Sequence, residues 1–293
     1  MAEIDRTSQV AVIGLGAIGL PIAINLAKAG VSTQVWNRSA AAAEKAASFG
    51  ATRFQNLSEI DARIILTVLP DISQVYEVLD NGLESALQAG DIFVVMGTVS
   101  PIAIKELGAR LAKIGVKCLD APVSGGDVGA QQATLSIMVG GDLEVFEEVK
   151  PTFSKIGSTI RLLGPLGSGE MAKACNQIVV AVTLTAIAEA VTLGRRAGLD
   201  DKVLLDILAG GLANSQVLTV KRGKIESADF APGGSSAFQL KDLRFALEAG
   251  LDTNTSLPVT EKVTELYNDL VDSGDGGLDH SAIIRQIERR SSL

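Results

Sequence analysis

The stretch from Gln9 to Gly30 constrains the fold of this chain more than any other. Gln9-Val10-Ala11-Val12-Ile13 is a short apolar run rich in β-branched residues and reads as a buried strand. Gly14-Leu15-Gly16-Ala17-Ile18-Gly19 follows at once, and residues 21–28 read as a helix that stops at Gly30. A strand, a glycine-rich turn and a helix in immediate succession form a unit that binds a dinucleotide pyrophosphate. The glycines permit a tight turn and close backbone approach, and the N–H groups at the helix start face the phosphates. Such a unit calls for a doubly wound parallel sheet, so an α/β fold is expected.

The rest of the N-terminal half keeps that rhythm. Strands are predicted over residues 32–36, 63–69, 91–96, 116–119, 135–139 and 159–163, the fifth antiparallel to its neighbours. Helices are predicted from Ala40, over 73–79, from Pro101 through 114, and over 143–156. Ligands gather beyond the carboxyl ends of parallel strands, which points to Leu69-Pro70, Thr98-Val99-Ser100 and Ser124-Gly125-Gly126. Ser124 and two glycines offer a hydroxyl and accessible N–H groups to a small carboxylate, and suit an ordinary glycine turn equally.

The second strand ends in Asn37-Arg38-Ser39. Folds that prefer NAD place Asp or Glu near here to hold the ribose 2′-hydroxyl. Asn37 carries no charge, and Arg38 can pair with a 2′-phosphate, so NADP(H) is expected over NAD(H). Ser39 also stands where a helix cap belongs, and Arg38 suits a solvated surface. The expected cofactor residues are Gly14, Gly16, Ala17, Ile18, Asn37, Arg38, Ser39, Leu69, Pro70 and Thr98.

After Gly164, Pro165, Gly167 and Gly169, nothing stops a helix until Gly194. About thirty residues at ~1.5 Å each make a rod of roughly 45 Å, a spine joining two domains. Domains over 1–163 and 164–293 are therefore expected. Residues 178–188 are apolar nearly all round, which predicts burial on every side, though the run is shorter than the about 20 residues a bilayer takes. Lys173, Asn176 and Gln177 lie at i, i+3 and i+4 and share one face. In an apolar helix they need partners: a ligand, the surface for the lysine, or neighbouring backbone for the amides. Beyond Gly198 the pattern is helical throughout, an all-α second domain.

Composition narrows the chemistry. A net charge of −8 argues against nucleic-acid and anionic membrane surfaces, so an anionic ligand needs local N–H groups and cations. The chain's one histidine, His280, excludes a His-rich metal site. Cys118 and Cys175 have no metal-like spacing, so no metal is expected, and reduced thiols suit a cytoplasmic protein. The N-terminal MAEIDRTSQ is polar, so neither a signal nor a transit peptide is expected. With 47% hydrophobic residues against 20% charged, oligomerisation is one way to cover the surplus.

With these residues in view, the chain resembles the β-hydroxyacid dehydrogenase family, relatives of 3-hydroxyisobutyrate dehydrogenase, from about Val10 to Ala282. Gly14-Leu15-Gly16 through Asn25-Leu26 and Lys28-Ala29-Gly30 is similar to its cofactor motif, with Ile18 where methionine is common. Asp120-Ala121-Pro122-Val123-Ser124-Gly125-Gly126 is similar to its substrate-carboxylate loop. The segment ending in Lys173 resembles its catalytic-lysine motif, and Phe238 to Leu243 its C-terminal lysine motif. Asp279-His280-Ser281-Ala282 resembles its last helix start. Asn176-Gln177, with Gly210-Gly211-Leu212-Ala213-Asn214-Ser215, is most similar to the tartronate semialdehyde reductase branch.

The resemblance implies a Rossmann-type NADP domain, a long interdomain helix, and an all-α domain completing a homodimer or homotetramer. It implies a site in the interdomain cleft that reduces a small semialdehyde or keto acid to a 3-hydroxy acid, or the reverse. Lys173 is the implied general acid/base. Ser124, Gly125, Gly126, Asn176, Gln177 and Lys241 are implied at the substrate, and Lys241 at the cofactor as well. A D-threonine or threonate dehydrogenase, an imine reductase and a non-enzymatic NADP-binding module are the alternatives. Two departures stand out. Val95-Met96-Gly97-Thr98 replaces Asp-x-Ser-Thr, so only Thr98 carries over, and Ala133 stands where glycine is common.

Overall fold

The strand–helix rhythm of the N-terminal half resolves into a nine-stranded sheet. The computed structural model describes residues 8–291; the polar N-terminal stretch lies outside them as far as Thr7. The strands are β1 Ser8–Ile13, β2 Thr33–Trp36, β3 Thr52–Arg53, β4 Ala62–Thr67, β5 Ile92–Val95, β6 Lys117–Asp120, β7 Val123–Ser124, β8 Leu135–Gly140 and β9 Gly157–Gly164. Between them run α1 Gly19–Lys28, α2 Ala40–Ala47, α3 Ile72–Val78, the single turn α4 Glu84–Ala86, α5 Ala103–Ala112, α6 Gly126–Gln131 and α7 Leu143–Phe153.

The sheet order is β3-β2-β1-β4-β5-β6-β8-β7, with β9 on β8. The first six strands are parallel, in the order of a doubly wound dinucleotide fold. β8 runs antiparallel to β6 and β7, as expected, but parallel to β9, where Met138 faces Arg161. Both faces of the sheet are covered. Val10 and Val12 of β1 enter one apolar cluster, and Ala11 and Ile13 the other. A strand buried on both sides reads as a continuous apolar run, which is why these strands were legible.

Four elements were not, the single turn α4 among them. β3 and β7 are two residues each, too short for a periodic signal. The glycines read as a loop also open a helix, α6. That helix explains the Ala133 departure. α6 closes with Ala133 N–H on the Ala130 carbonyl at 3.4 Å and Thr134 N–H on that of Gly129 at 2.9 Å, a Schellman ending. Ala133 takes the left-handed position at φ +56°, where glycine sits without strain. That conformation costs a non-glycine residue about 1–2 kcal/mol, and glycine's freedom in the unfolded chain returns about 0.4–1. Ala133→Gly should therefore stabilise by roughly 0.5–1 kcal/mol, seen as a Tm higher by about 1–3 °C.

The chain divides into two compact units, Met1–Lys173 and Ala174–Leu293. The long helix, α8 Ser168–Arg196, starts in the first and continues through the second. The division falls ten residues after the 163/164 boundary expected from the glycines. The Asp120 side chain at the end of β6 accepts N–H groups at the start of α8, and the Glu170 side chain of α8 accepts the Val99 N–H from the loop after β5. The second unit adds α9 Asp201–Gly210, α10 Gln216–Ser227, α11 Ser236–Asp252, α12 Pro258–Leu270 and α13 Ile283–Ser291.

Burial of residues 178–188 on every side is not what the fold provides. Ala181, Leu184, Ala188 and Val191 enter the core of the second unit at helical spacing. Val179 is 63% exposed and Leu193 72%, because the packed helices cover one side only. By length and composition alone the whole of α8 could cross a membrane, a test that the core helix of a soluble domain also passes.

Candidate functional site

The order of the sheet reverses between β1 and β4, the place where such folds open a ligand crevice. The three glycines after β1 play different parts there. Gly14 has φ +93°, and a Cβ on it would sit 2.6 Å from the Val68 carbonyl oxygen. A Cβ on Gly19 would lie 1.9 Å from the carbonyl oxygen of Gly14. Both are needed to close the turn. Gly16 is exposed, and a Cβ there would meet nothing within 4 Å. Such open backbone is what a closely approaching pyrophosphate requires.

Asn37 braces this turn. Its Oδ1 accepts the Leu15 N–H at 2.9 Å, and its Nδ2 donates to the carbonyl and Oγ of Ser39 at 3.0 Å each. Ser39 occupies the N-cap position of α2, but its hydroxyl makes no cap; it faces Asn37 instead. Arg38 is exposed. Ala17 is exposed and Ile18 half-buried beside Gly16. Leu69 and Thr98 are half-buried and Pro70 exposed, on the loops after β4 and β5. Those loops meet backbone to backbone, since a Cβ on Gly97 would lie 1.8 Å from the Leu69 carbonyl oxygen. That contact is the reason for Gly97.

Lys173 is buried on α8, 8% exposed, and its Nζ donates to the Val123 carbonyl at 2.8 Å. The next residues are the half-buried Ser124 and the exposed Gly125 and Gly126, at φ +129° and +64°. The lysine and the Ser124-Gly125-Gly126 segment are thus brought together. Two further carboxylates, which sequence reasoning did not assign, hold the helix start. Asp120 is fully buried at the end of β6, and its oxygens accept the N–H groups of Gly167 and Glu170 at 2.7 Å each. A helix start leaves such donors unpaired, and a carboxylate there is favoured by the dipole. Burial pushes the Asp120 carboxyl above the ordinary aspartate range, against the pull of the Gly167, Glu170 and Gly169 N–H groups. Glycine at 140 and 169 makes room, since a Cβ at either would come within 3 Å of an Asp120 oxygen. Glu170, 1% exposed, accepts the Val99 N–H at 3.1 Å. The signal available for both was an acid in apolar surroundings at a strand end or helix start.

One turn beyond Lys173, Asn176 is half-buried, and its enclosed Oδ1 has no hydrogen-bond partner among the described residues. Gln177 donates from Nε2 to Asp242 Oδ2 at 2.7 Å, an acid the sequence reading left as a surface ion pair but which is 7% exposed. Lys241 Nζ lies 3.2 Å from Asp242 Oδ1 and 4.9 Å from the Phe245 ring centroid. Among the described residues, no group of His, Cys, Asp or Glu could hold a metal ion. Burial pushes the Cys118 thiol far up, away from the reactive thiolate; Cys175 is exposed, and both are free.

A doubly wound sheet, an open glycine turn at its switch point and a buried lysine define a Rossmann-type dinucleotide-dependent oxidoreductase. Comparison with known proteins narrows the class. Residues 9–164 match the NAD binding domain of 6-phosphogluconate dehydrogenase, and residues 167–287 the NAD-binding domain of NADP-dependent 3-hydroxyisobutyrate dehydrogenase. The 2-hydroxy-3-oxopropionate reductase of Escherichia coli strain K12 is 40% identical over 280 residues, 94% of this chain and 96% of that protein. A solved structure of Mycobacterium tuberculosis 3-hydroxyisobutyrate dehydrogenase with L-serine is 32% identical, with a TM-score of 0.84 over 96% of this chain and 99% of that one. A structure described as Psf3 in complex with NADP+ and 2-OPP is 25% identical, with a TM-score of 0.87 over 95% and 99%. The chain belongs to the β-hydroxyacid dehydrogenase family, NAD(P)-binding oxidoreductases that act on the CH–OH group of hydroxy acids.

The glycine turn fits that cofactor, and its glycines should separate by experiment. Gly16→Ala should melt like the parent and bind NADPH about tenfold more weakly, roughly 1.4 kcal/mol. Gly19→Ala should lose roughly 1–3 kcal/mol of stability, because the carbonyl it meets is backbone. Thermal melts and fluorescence titrations with NADPH read the two effects apart.

Proposed function

We propose that this enzyme uses NADP(H) to interconvert a small semialdehyde or keto acid and its 3-hydroxy acid, of the tartronate semialdehyde/glycerate type. The observation that carries the reading is the buried Lys173, tied by its ammonium to Val123 beside Ser124-Gly125-Gly126. The 40% likeness to a 2-hydroxy-3-oxopropionate reductase supports the same substrate size. The nicotinamide, when bound, supplies or takes up a hydride. Gly14, Gly16, Ala17 and Ile18 would hold its pyrophosphate, and Arg38 the 2′-phosphate. Leu69, Pro70 and Thr98 would line the rest.

Lys173 moves the proton at Nζ: to the substrate oxygen in reduction, and from the hydroxyl in oxidation. Ser124 and the N–H groups of Gly125 and Gly126 bind the carboxylate. Asn176 and Gln177 orient the reacting oxygen, and the enclosed Oδ1 of Asn176 suits a hydroxyl donor. Lys241 is assigned to cofactor and substrate. Exposed Val179 and Leu193 on α8 support a homodimer or homotetramer, and the two free thiols suit the cytoplasm.

A substrate panel followed at 340 nm tests the reading, with semialdehydes, 3-hydroxy acids, threonine and threonate, and cyclic imines. Turnover of the small semialdehyde or hydroxy acid is expected, with a marked loss on the corresponding uncharged amide. Equal turnover of acid and amide would count against the carboxylate loop, and activity on imines alone would replace the reading with a reductase of C=N bonds.

A further inference from the structure

Glu170 has no part in the chemistry above, yet it is buried almost completely. A buried carboxylate is costly unless donors hold it. Its Oε2 accepts the N–H of Val99, a residue 71 positions away in the loop after β5. Its own N–H donates to Asp120 at the end of β6. The backbone of Glu170 is therefore fixed to one strand end and its side chain to the next. Lys173 follows three residues on, along the same face of α8.

We propose that Glu170 is a positioning residue that braces the lysine-bearing helix against the Thr98-Val99-Ser100 loop. It sets the spacing between the amine that moves the proton and the loop assigned to the cofactor. The inference rests on the roles given to Lys173 and Thr98 above. Spacing matters because a displacement of about 1 Å in an active site can cost about 100-fold in rate. What the brace requires is an acceptor for the Val99 N–H. Glutamine retains one; methionine keeps the length of the side chain and removes it.

The full-length E170M and E170Q variants are compared with the parent by amide hydrogen exchange of residues 97–101 without ligand, by NADPH fluorescence titration, and by kcat and KM. In E170M, exchange in that loop should rise at least about tenfold and kcat fall about 10- to 100-fold, with substrate KM within about threefold. E170Q should return exchange and kcat to within about threefold of the parent. A merely structural Glu170 would lower Tm in E170M and leave the kcat of the folded enzyme intact, which would overturn the brace. An E170Q as impaired as E170M would overturn it too, since charge rather than the acceptor would then be what counts. E170A gives the same comparison if methionine packs badly. A parent inactive on the whole panel would remove the functional reading, while loop exchange and NADPH affinity would still decide the brace.

Discussion

Lys173→Ala should lower kcat by about 10²–10⁴-fold, the usual worth of general acid–base catalysis, with NADPH affinity unchanged. The variant should fold. Lys173 donates to the Val123 carbonyl, and removing a buried lysine also removes the desolvation cost of its amine. The chain's one histidine, His280, is engaged with other groups. Its Nδ1 lies 2.9 Å from Gln239 Oε1, and its carbonyl accepts the Tyr267 hydroxyl. His280→Asn should accordingly change kcat far less than Lys173→Ala. Stopped-flow reduction and cofactor fluorescence make the measurement. A Lys173→Ala enzyme retaining a tenth of parental kcat would sink the assignment.

Arg38→Ala should raise KM for NADPH about 10- to 150-fold and leave NADH nearly unchanged. A charge-assisted hydrogen bond contributes roughly 1.5–3 kcal/mol, at ~1.4 kcal/mol per decade. The structure favours Arg38 over its neighbours for this role. Asn37 is committed to Leu15 and Ser39, and the Ser39 hydroxyl to Asn37, whereas the exposed Arg38 is the cation at this strand end. Asn37→Asp should move preference further toward NADH. Its Oδ1 still accepts the Leu15 N–H, while the new charge repels a 2′-phosphate and accepts from a 2′-hydroxyl. Values of kcat/KM for both cofactors in the parent and the two variants decide it. A parent that prefers NADH, or an unaltered ratio in Arg38→Ala, would leave Arg38 a solvated surface residue.

The sequence by itself determined the elements whose signal is local. Apolar strands buried on two faces, the glycine turn after β1, and the helices between glycines and prolines are each continuous stretches of chain. The same holds for Lys173, Asn176 and Gln177 on one face, because helix geometry places them there whatever surrounds it. The Ala133 and Gly97 departures were visible too, as residues out of pattern, without their reasons.

Those reasons, and the supports of the site, only the tertiary structure decided. Ala133 needed its φ, and Gly97 the carbonyl of Leu69 from the loop after β4. Asp120 reads as one acid in a motif, yet its carboxylate holds N–H groups 47 and 50 residues away. Glu170 reads as an ordinary first-turn acid, and Asp242 as half of a surface ion pair. Each is buried because its partner comes from another element, Val99 for one and Gln177 for the other. The sunny side of α8, with Val179 and Leu193, follows from which helices pack on it and which do not. Periodicity reports how a segment meets its own next turn or its own two faces. A buried charge is a contract between distant segments, and it exists only once the chain has brought donor and acceptor within about 3 Å.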